Sequence, residues 1–101
     1  MSTYRLIRDK EIYSIPENLI EVCDNRFEII QFGIKEIINL ALELQETDFR
    51  DLDAIADIIE LIYQLSEISF ISSEQIDAHV LQKLNKLGGY SKYLKRKEDS
   101  L

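Results

Sequence analysis

At 101 residues the chain is one domain in size, and a domain this small buries about 60 to 70% of the surface its unfolded chain exposes. Its 46% apolar content, with five tyrosines and four phenylalanines, rules out wholesale disorder, and its apolar runs are too short to span a bilayer. The formal charge of −7 disfavours duplex DNA or RNA as a partner, because such affinity rests on neutralising phosphates.

A single cysteine, Cys23, has no partner for an internal disulfide, and Met1 to Lys10 lacks the apolar core of a signal or transit peptide. Both point to a cytoplasmic protein. One proline and three glycines in the whole chain mark an all-α composition. The expected fold is a single all-α domain, an antiparallel helical bundle that oligomerises. It comprises an N-terminal arm and short helix over 1–24, a three-helix core over 25–97 and a tail over 98–101.

The arm is expected to be extended from Tyr4 to Lys10, and a short helix to follow from Pro16 to about Cys23. Pro16 suits a first helical position and Glu17 the first turn. The first long helix runs from about Asn25 to Glu46, with Phe27, Ile30, Ile34, Ile37, Leu40, Ala41 and Leu44 on its apolar face. Gly33 marks either a close helix crossing or a weak point.

The second long helix is expected from Asp48, as cap, to about Phe70. It is apolar nearly all round, which places it at the centre of a bundle or under a second subunit. The third starts at the capping sequence Ser72-Ser73-Glu74-Gln75, carries Ile76, Val80, Leu81, Leu84 and Leu87, and stops at Gly88-Gly89.

Two stripes of polar side chains interrupt these oily surfaces. Glu36, Asn39, Glu43 and Glu46 share one face of the first helix, and Asp53, Asp57, Glu60 and Gln64 one face of the second. A short connection folds the helices back antiparallel, so the acidic faces can meet. At an effective dielectric of about 20, two carboxylates about 5 Å apart cost roughly 3 kcal/mol. A cluster of them therefore asks for a cation or for protonation, and oxygen-only ligands suggest Mg²⁺ or Mn²⁺. The bland reading is an exposed polar face on two amphipathic helices.

Lys83, Lys86, Lys92, Lys95, Arg96 and Lys97 crowd the last twenty residues. They suit a small phosphorylated ligand, or simply the solvated end of a helix. His79 has no second histidine or cysteine at ligand spacing, so zinc is not indicated. Cys23 reads as a packed thiol, and Tyr90 and Tyr93 as packing aromatics. No glycine-rich phosphate loop and no hydrolase motif built on serine or histidine is present.

Three stretches nevertheless resemble the MazG-like all-α nucleoside triphosphate pyrophosphohydrolases, in particular the short phosphoribosyl-ATP pyrophosphohydrolase-like members. They are Tyr4-Arg5-Leu6-Ile7-Arg8-Asp9-Lys10, the helix Ala54-Ile55-Ala56-Asp57-Ile58-Ile59-Glu60-Leu61-Ile62, and Lys83 followed by Gly88-Gly89-Tyr90. The resemblance implies a Mg²⁺-dependent enzyme that cleaves a nucleotide to a monophosphate and pyrophosphate. Its motif Glu-Glu-x-x-Glu falls on Leu42 to Glu46, and Glu-x-x-Asp on Ala54 to Asp57.

Glu43, Glu46 and Asp57 then match as metal ligands and catalytic residues, while Leu42 and Ala54 stand where carboxylates are expected. Asp53, Glu60 or Glu36 can substitute in part. Arg8, Lys10, Lys83, Lys86 and Lys92 become candidate contacts to substrate. The alternative is a catalytically lapsed nucleotide-binding or regulatory interaction module of the same fold, and a plain helical assembly protein is the third.

Overall fold

Asn25 opens the first long helix with an extended backbone and a side chain that accepts the Glu28 N–H at 2.9 Å, satisfying a donor that every helix start leaves free. The computed structural model describes residues 4–98, and in it this helix, α1, spans Arg26–Glu46. Met1–Thr3 and the end of the expected tail, 99–101, lie outside the described residues.

α1 ends in a Schellman turn. Phe49 N–H donates to the Leu44 carbonyl at 2.7 Å and Asp48 N–H to the Gln45 carbonyl at 3.3 Å. That turn corrects the expected start of the second helix. Asp48 and Phe49 take φ of 58° and 61°, outside helical space, so the cap falls to Asp51, whose carboxylate accepts the Ala54 N–H at 3.2 Å.

The second helix, α2, spans Leu52–Glu67 and stops three residues short of Phe70. A second Schellman turn closes it, with Phe70 at φ 62° and Ile71 N–H bonded to the Ser66 carbonyl at 2.9 Å. The third helix, α3, spans Ser73–Leu87. Its capping box forms as expected: Ser72 Oγ accepts the Gln75 N–H at 3.1 Å, and Gln75 Oε1 accepts the Ser72 N–H at 2.8 Å. It ends on Gly88, whose φ of 77° favours glycine.

The N-terminal segment is less regular than expected. It is extended only to Arg8, where a turn begins. The Arg8 carbonyl accepts the Glu11 N–H and the Glu11 carboxylate accepts the Arg8 N–H, both at 2.9 Å, coiling Asp9–Ser14 into a 3₁₀ helix. The expected helix from Pro16 to Cys23 is a single 3₁₀ turn, Glu17–Leu19, with Pro16 outside it as the cap. So short a segment makes too few hydrogen bonds to offset the cost of nucleating an α-helix.

α1 and α2 form an antiparallel hairpin. Arg26 at the start of α1 donates to the Ile68 carbonyl and to Ser69 Oγ, each at 3.0 Å, tying down the end of α2. Gly33 lies against Leu65, so of its two sequence readings the close crossing holds. Farther along, Leu40, Leu44 and the 2%-exposed Ala54 make the small core, with Ile55, Ile58 and Leu61 packed around it.

α3 adds little to that core. It touches α2 sparsely, with Tyr63 Oη donating to Asp77 Oδ1 at 3.0 Å, and its apolar residues Val80, Leu81, Leu84 and Leu87 stay exposed. The packed unit within one chain is therefore the hairpin with the arm across it. Among the described residues there is no strand, and no helix is long and apolar enough to cross a membrane.

Candidate acidic site beneath the N-terminal arm

The acidic stripes do meet, and arginines from the arm meet them. Arg5 Nε and Nη2 donate to the two oxygens of Glu36 at 2.8 and 2.7 Å, and Leu6 N–H adds a third bond to Glu36 at 3.2 Å. Arg5 Nη2 also lies 3.6 Å from Glu43. Three residues on, Arg8 bridges two carboxylates of α2. Its Nη1 and Nη2 donate to Glu60 at 3.0 and 2.9 Å, while Nε donates to Asp57 at 3.2 Å and Nη2 bonds the same Asp57 oxygen. The arm is held down elsewhere by Tyr4, whose ring stacks edge-on against Phe32 at 5.4 Å.

Glu36 is 9% exposed and carries its charge because of its partners. Its pKa is held below the usual carboxylate range by the Arg5 hydrogen bonds first, against the opposing effect of burial, with help from the Leu6 N–H. Nearby Asp57 pushes the other way, the repulsion expected of facing acidic stripes. The guanidiniums of Arg5 and Arg8 are correspondingly raised, chiefly by hydrogen bonds to Glu36 and to Glu60 and Asp57.

A cleft of about 230 Å³ opens here, lined among others by Arg8, Glu36, Leu40, Asp57, Glu60 and Gln64. Its position follows from the hairpin register. With Gly33 opposite Leu65 and Leu44 beside Ala54, the stretch holding Asp57 and Glu60 faces the middle of α1. Of the residues named from the motif, Asp57 lines the cleft, while Glu43 lies outside the lining, 3.6 Å from the Arg5 guanidinium that holds Glu36. Glu46 is exposed at the end of α1 and lines no part of it.

Among the basic candidates only Arg8 lines the cleft. Lys10 follows in the 3₁₀ helix, between the cleft-lining Asp9 and Glu11. Lys83 and Lys86 sit on exposed α3, bordering a shallow groove with His79, and Lys92 lies beyond Gly88-Gly89. The cleft's other members, Glu36 and Glu60, were visible as stripe residues. Which stripe residues the arm selects was not, because the Arg5–Glu36 pair joins positions 31 residues apart.

Among the described residues, no three His, Cys, Asp or Glu side chains stand close enough together to hold a metal ion. The donor chemistry of Glu36, Asp57 and Glu60 suits Mg²⁺, but guanidiniums now supply the positive charge. Cys23, half-buried, has its thiol pushed up by burial and then by Glu28 and Asp24, which agrees with a packed rather than a nucleophilic cysteine. Comparison with protein-family models, curated proteins and solved structures finds no match for this chain.

Proposed function

We propose that the chain is a cytoplasmic, homo-oligomeric protein of the nucleotide pyrophosphohydrolase-like class, taking a nucleoside triphosphate or related nucleotide at the arm cleft and releasing a monophosphate and pyrophosphate. The observation that supports this reading is Arg8 docked on Asp57 and Glu60 in a cleft that Glu36 also lines. Phosphate needs a forked donor and a divalent ion needs hard oxygens, and both sets are present on one cleft.

Mg²⁺ or Mn²⁺, if bound here, would supply charge against the phosphate oxygens and make an attacking water more acidic. Asp57, Glu60 and Glu36 are the cleft carboxylates that would hold it, drawn closer together than they stand under the arginines, while Glu43 and Glu46 lie outside the lining. Arg8 then exchanges carboxylate oxygens for phosphate oxygens, which its planar fork matches equally well. Lys10 adds charge at the same edge, while Lys83, Lys86 and Lys92 stand apart within one chain.

A second reading, a lapsed nucleotide-binding or regulatory interaction module, is favoured by Leu42 and Ala54. Leu42 is exposed on α1, and Ala54 lies in the core, so neither position offers a carboxylate to the cleft. Pyrophosphate release from a panel of canonical and modified nucleoside triphosphates with Mg²⁺ or Mn²⁺, beside an Asp57→Ala control, separates the two. Release that vanishes in the control supports the enzyme. No release from a folded protein across the panel leaves the binding module.

A further inference from the structure

The hairpin has two unlike sides. Glu36 and Glu43 on α1, and Asp57 and Glu60 on α2, face the arm. On a helix of 3.6 residues per turn, Ile34, Ile38 and Leu42 lie roughly 150° round α1 from that acidic stripe, and Leu52 and Ile59 lie similarly far round α2. All five are exposed, forming a bare apolar face on the side away from the arm. α3 carries a second one, since Val80, Leu84 and Leu87 share a stripe and are 61%, 51% and 71% exposed.

The surface area says how much cover is missing. The chain exposes 9530 Å², against roughly 5,900 Å² for a folded monomer of its mass. Its radius of gyration is 17.1 Å, where a compact domain of this length has about 13 Å. The excess, on the order of 3,600 Å² per chain, is well beyond the roughly 800 Å² a partner buries in a standard complex, and the roughly 1,000–2,500 Å² per chain of an obligate homodimer fits within it.

We propose that the missing cover is a second copy of this chain, with the Val80, Leu84, Leu87 stripe of α3 seated on the bare face of the partner copy's α1–α2 hairpin, and reciprocally. The surfaces fit in length: α3 has 15 residues, about 22 Å, and α2 has 16, about 24 Å. The charges of the two segments as a whole are opposite as well, which draws them together at long range. From His79 to Glu98 there are six basic residues and one acidic, while 17 of the chain's 19 acidic residues precede His79, so the exchange sets a basic segment against an acidic body. A two-fold exchange covers both faces of both copies and then closes, which an unrelated partner on either face alone does not achieve. The proposal gives the homo-oligomer named above its interface, and its test needs neither nucleotide nor metal, so it fails or stands separately from the catalytic reading.

Light scattering on the full chain, coupled to size exclusion, is expected to give twice 11.8 kDa or an even multiple. In a mixture of ¹⁴N and ¹⁵N protein, carbodiimide cross-links from Lys83 or Lys86 to hairpin carboxylates are expected to carry both isotopes. Leu84→Glu is expected to weaken association at least tenfold, and Gln82→Glu, on the polar side of α3, to leave the mass unchanged. A monomeric mass, cross-links confined to one isotope (α3 folded onto its own hairpin), or an assembly untouched by Leu84→Glu each overturns the proposal. The cross-linking uses the unmodified chain and so decides the matter even if Leu84→Glu does not fold.

Discussion

Arg5 and Glu36 meet through two parallel hydrogen bonds of 2.8 and 2.7 Å, and the carboxylate they hold is one of the few buried side chains of the described residues. Truncating Arg5 leaves that charge in the cleft with the Leu6 N–H as its remaining donor. Arg5→Ala is therefore expected to cost about 1–3 kcal/mol in urea unfolding, and Arg5→Lys less, since lysine keeps the charge without the fork. An unchanged urea midpoint in Arg5→Ala is the result that contradicts the pairing.

Acid should act through the same pair. A carboxyl whose folded pKa lies below its ordinary 4.5 stabilises the fold above that pH, and the stabilisation is lost as pH falls through the folded value. The stability difference between wild type and Glu36→Gln is expected to be flat near neutrality and to shrink below about pH 4.5. A difference that grows on acidification reverses the sign and removes Arg5 as the cause.

Arg8 sits on an exposed network, and exposed ion pairs are weak and screened by salt. Arg8→Ala is expected to leave the melting temperature nearly unchanged while speeding hydrogen exchange at Leu6 to Glu11, an effect that high salt reproduces in the wild type. The same variant frees Asp57 and Glu60. If those carboxylates take Mg²⁺, Mg²⁺ alone should stabilise Arg8→Ala more than wild type, while nucleotide should stabilise it less. Equal metal responses count against a site at Asp57 and Glu60.

Local signals were legible in the sequence and long-range ones were not. α1 and α3 lie where Asn25 and the Ser72–Gln75 capping box put them, because caps act over three residues. α2 starts late because Asp48 and Phe49 take a left-handed turn that no glycine announces, which leaves the cap to Asp51. The stripes were plain from periodicity. Their pairing with Arg5 and Arg8 was hidden, since it depends on how the hairpin register presents Glu36 and Glu60 to the arm. The sparse packing of α3 was hidden too, since its apolar face has the same pattern whatever covers it.

Restoring the two absent motif carboxylates should have opposite effects. Ala54 is 2% exposed beside Leu40 and Leu44, so Ala54→Glu buries a charge without a partner and is expected to cost more than about 3 kcal/mol or to prevent folding. Leu42 is 54% exposed on the bare face, so Leu42→Glu should preserve helix content by circular dichroism and show its effect in assembly instead. A stable Ala54→Glu protein with gained Mg²⁺ affinity would mean that position 54 faces the cleft.

Gly33 sets two known effects against each other. Alanine there gains helix propensity of about 1 kcal/mol. Its Cβ, however, meets Leu65 Cδ2 at 2.6 Å, Cδ1 at 2.7 Å and Cγ at 3.1 Å. The terminal methyls can turn aside, but the closeness of Cγ means the whole side chain or the helix must move, and such overpacking costs about 1–3 kcal/mol. Gly33→Ala is therefore expected to be destabilising by up to about 2 kcal/mol. In Leu65→Ala the same substitution meets open space and should become neutral or stabilising. That change of sign across a double-mutant cycle is the signature of direct contact, and additive effects would place α2 farther from Gly33 than the structure has it.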